Sequence, residues 1–226
     1  MRLLTNHIAT PTTRAIRVAL DGAPFSYRAG QAAAIGRVGD LLTPYSIACA
    51  PSDTERDGYL EFLVKVDGSN RFGALVTVLE AGTELQVTPA SGGFTIPASA
   101  TGHPLLFIAG GTGIAPLRSM IREYLRQSPA ARPALVYSAR TPEEFAYGEE
   151  FRALADEGRL DLTLTLTGDA REWRHARGRA GDHHLAELAT AKTVCFICGP
   201  PAMVVDVPEA LVRLGVPRNQ IRTENW

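Results

Sequence analysis

A glycine-rich turn between an apolar run and a helix-like stretch is the segment of this chain best suited to bind a phosphate. The turn, residues 110–113, follows the apolar run 105–109 and precedes the stretch 114–125. A buried strand, a glycine turn and a helix N-terminus together present backbone N–H groups to a pyrophosphate, and the missing Cβ lets it come close. A plain structural connection is the alternative, but the flanking elements favour a nucleotide site. The predicted residues are Gly110, Gly111, Thr112, Gly113 and Pro116, the last standing where the usual dinucleotide motif has its third glycine.

The next strand-like run, 134–138, ends in residues that indicate which nucleotide is bound. In a doubly wound fold this strand end faces the ribose of the cofactor, where an acidic residue favours the free 2′-hydroxyl of NAD. This chain offers Ser138 and Arg140 instead. A guanidinium can pair with a 2′-phosphate, which favours NADPH over NADH. The alternative, which is slightly less favoured, is that Arg140 caps the strand end in solvent.

A third strand-like run, 194–198, contains a Cys-x-x-Cys spacing. On an extended strand, positions three apart point to opposite faces, so Cys195 is expected in the core and only Cys198 at the ligand end. Ligands bind at the carboxyl ends of such strands. The sequence therefore predicts a binding turn rather than a metal centre, formed by Cys198, Gly199, Pro200 and Met203.

The composition argues against several classes of function. The chain has 226 residues and a formal net charge of −1, which gives no global electrostatic reason to bind nucleic acid or an anionic membrane. No apolar run approaches the roughly 18 residues of a membrane span, so a soluble cytoplasmic protein is expected. Three cysteines are too few for a disulfide framework or a four-cysteine iron–sulfur cluster, and the histidines lack metal-ligand spacing, so no metal site is predicted.

The two halves of the chain follow different patterns. Residues 1–98 contain short strands separated by Gly and Pro turns, which predicts an antiparallel β-barrel with one helix over 72–79 and a charged loop over 53–57. Residues 99–226 alternate strand-like and helix-like runs, which predicts a doubly wound α/β domain with a parallel sheet of five strands. Its predicted strands are 105–109, 134–138, 162–166, 194–198 and 220–223, and its predicted helices are 115–127, 142–155, 182–189 and 201–214.

Several segments match known motifs in a fixed order along nearly the whole chain. They are Ala29-Gly30-Gln31, Thr43-Pro44-Tyr45-Ser46, Val64-Lys65-Val66 with Gly68, residues 110–116, Tyr137-Ser138-Ala139-Arg140, residues 198–203 and the ending Thr223-Glu224-Asn225-Trp226. Together they resemble the ferredoxin–NADP⁺ reductase superfamily, whose members join a flavin-binding antiparallel β-barrel to an NAD(P)-binding α/β domain.

The resemblance implies an NAD(P)H-dependent flavoprotein that passes hydride to FAD and then single electrons to a separate iron–sulfur or haem protein. By the same resemblance, Tyr45 lies against the flavin ring, and Trp226 covers its other face. The implied catalytic residues are Ser46 at the flavin N5, Cys198 beside the nicotinamide C4, and Glu224 as a proton relay or nicotinamide contact. The other implied flavin-binding residues are Thr43, Pro44, Val64, Lys65, Gly68, Arg71, Phe72 and Gly73.

Two positions depart from the family pattern. Thr43 occupies the place of an arginine that grips the flavin phosphate, and Phe72 stands near the place of a serine in the second flavin turn, with Arg71 as a possible substitute. FAD is still favoured over FMN. The departures leave two alternatives open: a flavin or ferric reductase that acts on small molecules, and a nucleotide-binding subunit of an electron-transfer complex with weakened flavin binding.

Overall fold

The computed structural model of the chain describes residues 1–66, 68 and 71–225. Trp226 lies outside the described residues, so its role as a flavin cover stays a prediction. The strands are β1 (Arg2–Thr10), β2 (Thr13–Ala19), β3 (Ala32–Arg37), β4 (Thr43–Ser46), β5 (Tyr59–Lys65), β6 (Leu85–Val87), β7 (Leu105–Gly110), β8 (Ala134–Ala139), β9 (Asp161–Leu166), β10 (Ala176–Arg177), β11 (Val194–Gly199) and β12 (Ile221–Asn225). The α-helices are α1 (Pro51–Asp57), α2 (Arg71–Val76), α3 (Ile114–Gln127), α4 (Gly148–Asp156), α5 (Asp182–Leu185) and α6 (Pro201–Arg213), and short 3₁₀ helices span Ala98–Ala100, Gly111–Gly113, Pro142–Glu144 and Arg218–Gln220.

Parallel strands form one sheet in the C-terminal half, in the order β10-β9-β8-β7-β11-β12. Every residue of β7, β8 and β11 is buried, as apolar strands covered on both faces should be. The five predicted strands are confirmed, but the predicted strand count is wrong, because the described sheet has six. The additional strand, β10, has two residues, too few to leave a readable apolar pattern.

The N-terminal half contains two three-stranded antiparallel sheets, ordered β1-β2-β5 and β4-β3-β6. Single bridges connect them, between Ile47 and Phe62 and between Arg2 and Glu84. Antiparallel strands are therefore confirmed. A closed barrel is not what the described residues form, because the two sheets share isolated bridges rather than continuous ladders.

The segment predicted as a charged loop is the helix α1. Pro51 occupies its first turn, where the fixed φ of proline suits a helix, and the carboxylate of Asp53 accepts a hydrogen bond from the N–H of Ala50 at 3.1 Å. The described N-terminal half thus has two α-helices and not one. In the C-terminal half, the predicted helix 142–155 is interrupted, because Tyr147 adopts a left-handed conformation with φ 59° just before α4. No helix among residues 1–66, 68 and 71–225 is both long and apolar enough to cross a bilayer.

Apolar packing joins the two halves. Ala48 and Leu63, from the N-terminal half, are buried in the same cluster as Phe107 and Phe196 of the parallel sheet. Phe94 packs edge-on against Phe196, with ring centroids 6.1 Å apart. The position of each half is therefore fixed by side chains of the other.

Candidate cofactor-binding cleft

A cleft of about 800 Å³ lies between the two halves, where β7, β8 and β11 end. One wall comes from β4, β5 and the β1–β2 turn, and the other from the glycine turn and the β11–α6 turn. This size suits an organic cofactor. The sequence-predicted residues that line the cleft are Thr43, Pro44, Tyr45, Ser46, Lys65, Gly110, Gly111, Thr112, Gly113, Ser138, Arg140, Gly199, Pro200 and Met203.

Other predicted residues lie behind this lining. Val64 is fully buried in the core of the N-terminal half, and Phe72 packs against Tyr45 with ring centroids 5.8 Å apart. Pro116 is buried in the first turn of α3. These side chains support the wall rather than face the cleft. Within the described part of the chain, Gly68, Arg71 and Gly73 are likewise not among the lining residues.

Ser46, at the end of β4, has a hydroxyl group for which the described residues supply no partner. The residue is buried and lines the cleft, and its Oγ makes no hydrogen bond to any described residue. Pairing of Ser46 with Ala32 of β3 fixes its position. A buried polar atom without a partner costs about 1–3 kcal/mol, so the cleft suits a ligand with a hydrogen-bonding atom at this point. A flavin ring nitrogen fits this requirement.

Two glycines of the turn are required by the packing of the protein itself. A Cβ on Gly113 would collide with the backbone carbonyl of Cys198. A Cβ on Gly110 would lie 2.8 Å from Pro200 and 2.9 Å from Met203. The explanation that these glycines serve only to admit a phosphate is therefore incomplete, because they also let the glycine turn meet the β11–α6 turn.

Gly111 differs from its neighbours. Its φ is +54°, a left-handed conformation that favours glycine, and open space surrounds the position of a Cβ. The Tyr137 hydroxyl donates a hydrogen bond to the Gly111 carbonyl at 3.1 Å. Tyr137 thereby fixes the turn from β8 and leaves its outer side open towards the cleft.

Two arginines face the cleft near the end of β8. Arg140 and Arg179 line both the main cleft and an adjoining recess of about 430 Å³. The segment that carries Arg179 is held beside β9, because the N–H of Gly178 donates to the carbonyl of Leu166 at 2.8 Å. Two arginines that line one recess can supply guanidinium groups to a phosphate dianion. Sequence reasoning missed Arg179, because no spacing in the chain shows that β10 returns to β9.

The predicted residues Cys198 and Glu224 lie side by side on neighbouring strands. Cys198 of β11 is in register with Glu224 of β12. Cys198 is fully buried, and neither residue is among the described residues that line the cleft. Burial raises the pKa of Glu224 to about 7, and its Oε2 has no hydrogen-bond partner among the described residues. Glu224 can therefore exchange a proton at neutral pH.

Threonines and a lysine form the wall next to Tyr45 and Ser46. Thr10, Thr12 and Thr13, around the β1–β2 turn, line the cleft together with Thr43. Lys65, at the end of β5, is in register with Thr13 and lies on the same wall. The three threonines of the β1–β2 turn were missed by sequence reasoning, because threonine is common in ordinary strands.

Comparison with known proteins identifies the family. Residues 107–209 match the oxidoreductase NAD-binding domain. The chain is 34% identical to ferredoxin–NADP reductase B of Sorangium cellulosum (strain So ce56), over 91% of this chain and 88% of that protein. The chain belongs to the ferredoxin–NADP reductase family. The resemblance predicted from the motifs is thereby confirmed.

A further relative and a solved structure are also similar to this chain. This reductase is 30% identical to the ferredoxin–NAD(P)⁺ reductase component of the naphthalene 1,2-dioxygenase/salicylate 5-hydroxylase systems of a Ralstonia species, over 96% of this chain but 65% of that protein. Its fold matches a crystal structure of a ferredoxin–NADP⁺ reductase from Neisseria gonorrhoeae with bound FAD and NADP. The TM-score is 0.81 at 22% identity, and the match covers 99% of this chain and 96% of that one.

Proposed function

We propose that this reductase takes hydride from NAD(P)H onto a bound flavin and passes single electrons to a separate acceptor. One observation carries the proposal: a single cleft presents on one wall the hydroxyl of Ser46, which has no partner among the described residues, and on the other the glycine turn 110–113. When bound, a flavin supplies a two-electron acceptor that can release its electrons one at a time. The protein orients the nicotinamide and the flavin and excludes water from between them, and this orientation strongly affects the rate of hydride transfer.

The flavin side is formed by Tyr45, Ser46 and the threonine wall. Tyr45 offers an aromatic surface that Phe72 supports from behind, and the Ser46 hydroxyl bonds a ring nitrogen. With Thr43 in place of the family arginine, Lys65 brings positive charge to this wall. We infer that Lys65 and the threonine hydroxyls bind the phosphate of the flavin, and we favour FAD over FMN.

The nicotinamide side is formed by the glycine turn and the β11–α6 turn. Backbone N–H groups of residues 110–113 bind the pyrophosphate, and Gly199, Pro200 and Met203 line the space beside Cys198, where we place the nicotinamide. Arg140 and Arg179 bind a 2′-phosphate, which favours NADPH over NADH. Glu224 holds a proton next to Cys198.

The acceptor is an electron-transfer protein on a separate chain. The Sorangium relative is named a ferredoxin–NADP reductase and the Ralstonia relative a ferredoxin–NAD(P)⁺ reductase component. We therefore propose an iron–sulfur or haem protein as the partner, and a cytoplasmic location for the pair.

The test is an anaerobic titration of the purified protein. We expect a yellow protein whose absorbance near 450 nm bleaches with about one equivalent of NADPH, as a two-electron hydride transfer to one flavin requires. NADH should bleach it less readily. A protein that stays colourless after incubation with FAD and with FMN, or a flavin that neither nicotinamide bleaches, would contradict the proposal.

A further inference from the structure

Helix α3, which begins directly after the glycine turn, carries a buried arginine. Arg118 is 7% exposed, and its Nη1 donates to the backbone carbonyl of Ala48 at 3.0 Å and to Oε1 of Glu61 at 2.9 Å. Its Nε donates to Oε2 of Glu150 at 2.7 Å, and its guanidinium lies 4.1 Å from the centre of the Tyr147 ring. One side chain thus binds residues of both halves of the protein.

The neighbouring residue makes a second bond between the two halves. We call this contact, between residues 118–123 of α3 and residues 48–53 with Glu61, the seam. The Ser119 hydroxyl donates to the backbone carbonyl of Cys49 at 2.6 Å, and both groups are buried. Farther along α3, Arg122 donates to both carboxylate oxygens of Asp53, at 2.6 and 3.0 Å. The backbone N–H of Ser52 donates to Glu123 at 3.1 Å. Four residues within two turns of α3 therefore bind the segment 48–53.

The charges at the seam keep Glu61 ionised. Burial acts to raise the pKa of the Glu61 carboxyl, but Arg118 and Arg17 outweigh it and hold that pKa below its usual value. Arg17 donates to Oε2 of Glu61 at 2.7 Å, while Arg118 binds Oε1. Both carboxylate oxygens are used, so the contact has a defined geometry as well as a favourable charge.

The seam lies a short distance along the chain from both walls of the cleft. Ala48 and Cys49 follow Ser46 by two and three residues, and Arg118 and Ser119 follow Gly113 by five and six. Five residues of helix span about 7.5 Å. We therefore expect a displacement of the seam to displace both walls of the cleft. A misplacement of about 1 Å between two bound reactants can slow their reaction roughly 100-fold.

We propose that Arg118 and Ser119 are positioning residues that set the distance between the Ser46 wall and the glycine turn. They bind the backbone that follows Ser46 to the helix that follows Gly113. This inference rests on the proposed function for its effect on rate, but its structural part does not.

The structural part is tested without a cofactor. Nitroxide labels placed by Ile8→Cys and Val205→Cys, at positions 70% and 64% exposed, report the distance between the halves by pulsed electron double resonance. The native cysteines are buried and are expected to stay unlabelled. We expect Arg118→Lys to broaden the distance distribution about twofold or more, since the compact ammonium group of lysine does not reproduce the planar, forked geometry of the guanidinium. Ser119→Ala, which removes one bond and no charge, should give a smaller broadening. Arg213→Ala, which removes an exposed ion pair with Asp182, is the control and should leave the distribution unchanged.

The functional part is tested by flavin reduction in a stopped-flow instrument. We expect Arg118→Lys to slow reduction by NADPH about tenfold or more, while the Kd values for flavin and NADPH change less than about twofold. An unchanged distribution in folded Arg118→Lys and in Ser119→Ala overturns the proposal, and so does a broadened distribution with an unchanged rate. If neither nicotinamide reduces the wild-type protein, the proposed function fails. A broadened distance distribution in the variants then still supports the role of Arg118 and Ser119 in holding the two halves at a fixed distance.

Discussion

The Cβ position of Gly113 coincides with the space taken by the carbonyl of Cys198, so the two turns that form the dinucleotide side of the cleft are in direct backbone contact. The two turns cannot move closer together, and a side chain at residue 113 would force them apart. This contact therefore sets the shortest distance that the two turns can adopt.

Gly113→Ala should destabilise the protein because the new methyl group forces these turns apart. Overpacking of this kind costs about 1–3 kcal/mol, which thermal or urea denaturation will show. Gly93→Ala is the matched control, since its Cβ would meet nothing within 4 Å and its backbone is not left-handed. Equal stability of the two variants would mean that the contact between the turns is not tight in solution.

Ser46→Ala should slow flavin reduction more than it weakens flavin binding. Loss of one hydrogen bond of about 1.4 kcal/mol at the reacting nitrogen corresponds to a tenfold lower rate. Rapid-reaction measurement of flavin bleaching, with the Kd for flavin from fluorescence quenching, separates the two effects. Ser46→Thr keeps the hydroxyl and should restore most of the rate. If Ser46→Ala reduces flavin as fast as wild type, the hydroxyl does not act on the ring.

Arg140→Ala and Arg179→Ala should each weaken NADPH binding selectively. A charge-assisted hydrogen bond contributes about 1.5–3 kcal/mol, so we expect roughly a tenfold or larger rise in Kd for NADPH and little change for NADH. Titration calorimetry with both nucleotides measures the difference. Arg132→Ala removes an exposed ion pair with Asp161 just before β8 and serves as the control. Parallel losses for NADH and NADPH would remove the basis for a 2′-phosphate site.

Glu224→Gln should stabilise the protein in a manner that depends on pH. Burial raises the pKa of Glu224 from 4.5 to about 7, so ionisation is disfavoured in the folded protein. Relative to the variant, wild type then loses stability as the pH rises from about 4.5 to about 7, and the deficit stays constant above that. Melting curves at pH 5 and pH 8 should show the benefit of Glu224→Gln mainly at pH 8. Glu209→Gln, at an exposed ion pair with Arg218, should not show this pattern.

Much of the fold and the glycine-turn wall of the cleft can be predicted from local sequence. The apolar runs of β7, β8 and β11 and the glycine turn after β7 have patterns that depend only on neighbouring residues, and the structure places them as predicted. Ser46 and Arg140 were found because a motif or a strand end marks them. Local pattern is enough wherever the strand and the site residue are adjacent in the chain.

The remaining features depend on contacts between distant segments. Arg179 reaches the cleft only because β10 returns to β9, and a two-residue strand carries no periodicity. The sequence predicts a loop over 53–57 instead of α1, because Arg122, which binds Asp53, lies 69 residues later in the chain. The packing role of Gly113 is invisible for the same reason, since Cys198 belongs to another strand.

The seam between α3 and the N-terminal half has a consequence for how the chain folds. Arg118 and Ala48 are 70 residues apart in sequence, as are Ser119 and Cys49. A fragment that ends near residue 98 would leave Glu61 paired with Arg17 alone and would leave Asp53 without Arg122. Contacts of such long range form late and slow the search for the native state. We therefore expect the two halves on either side of residue 98, although predicted as separate domains, to unfold in a single transition.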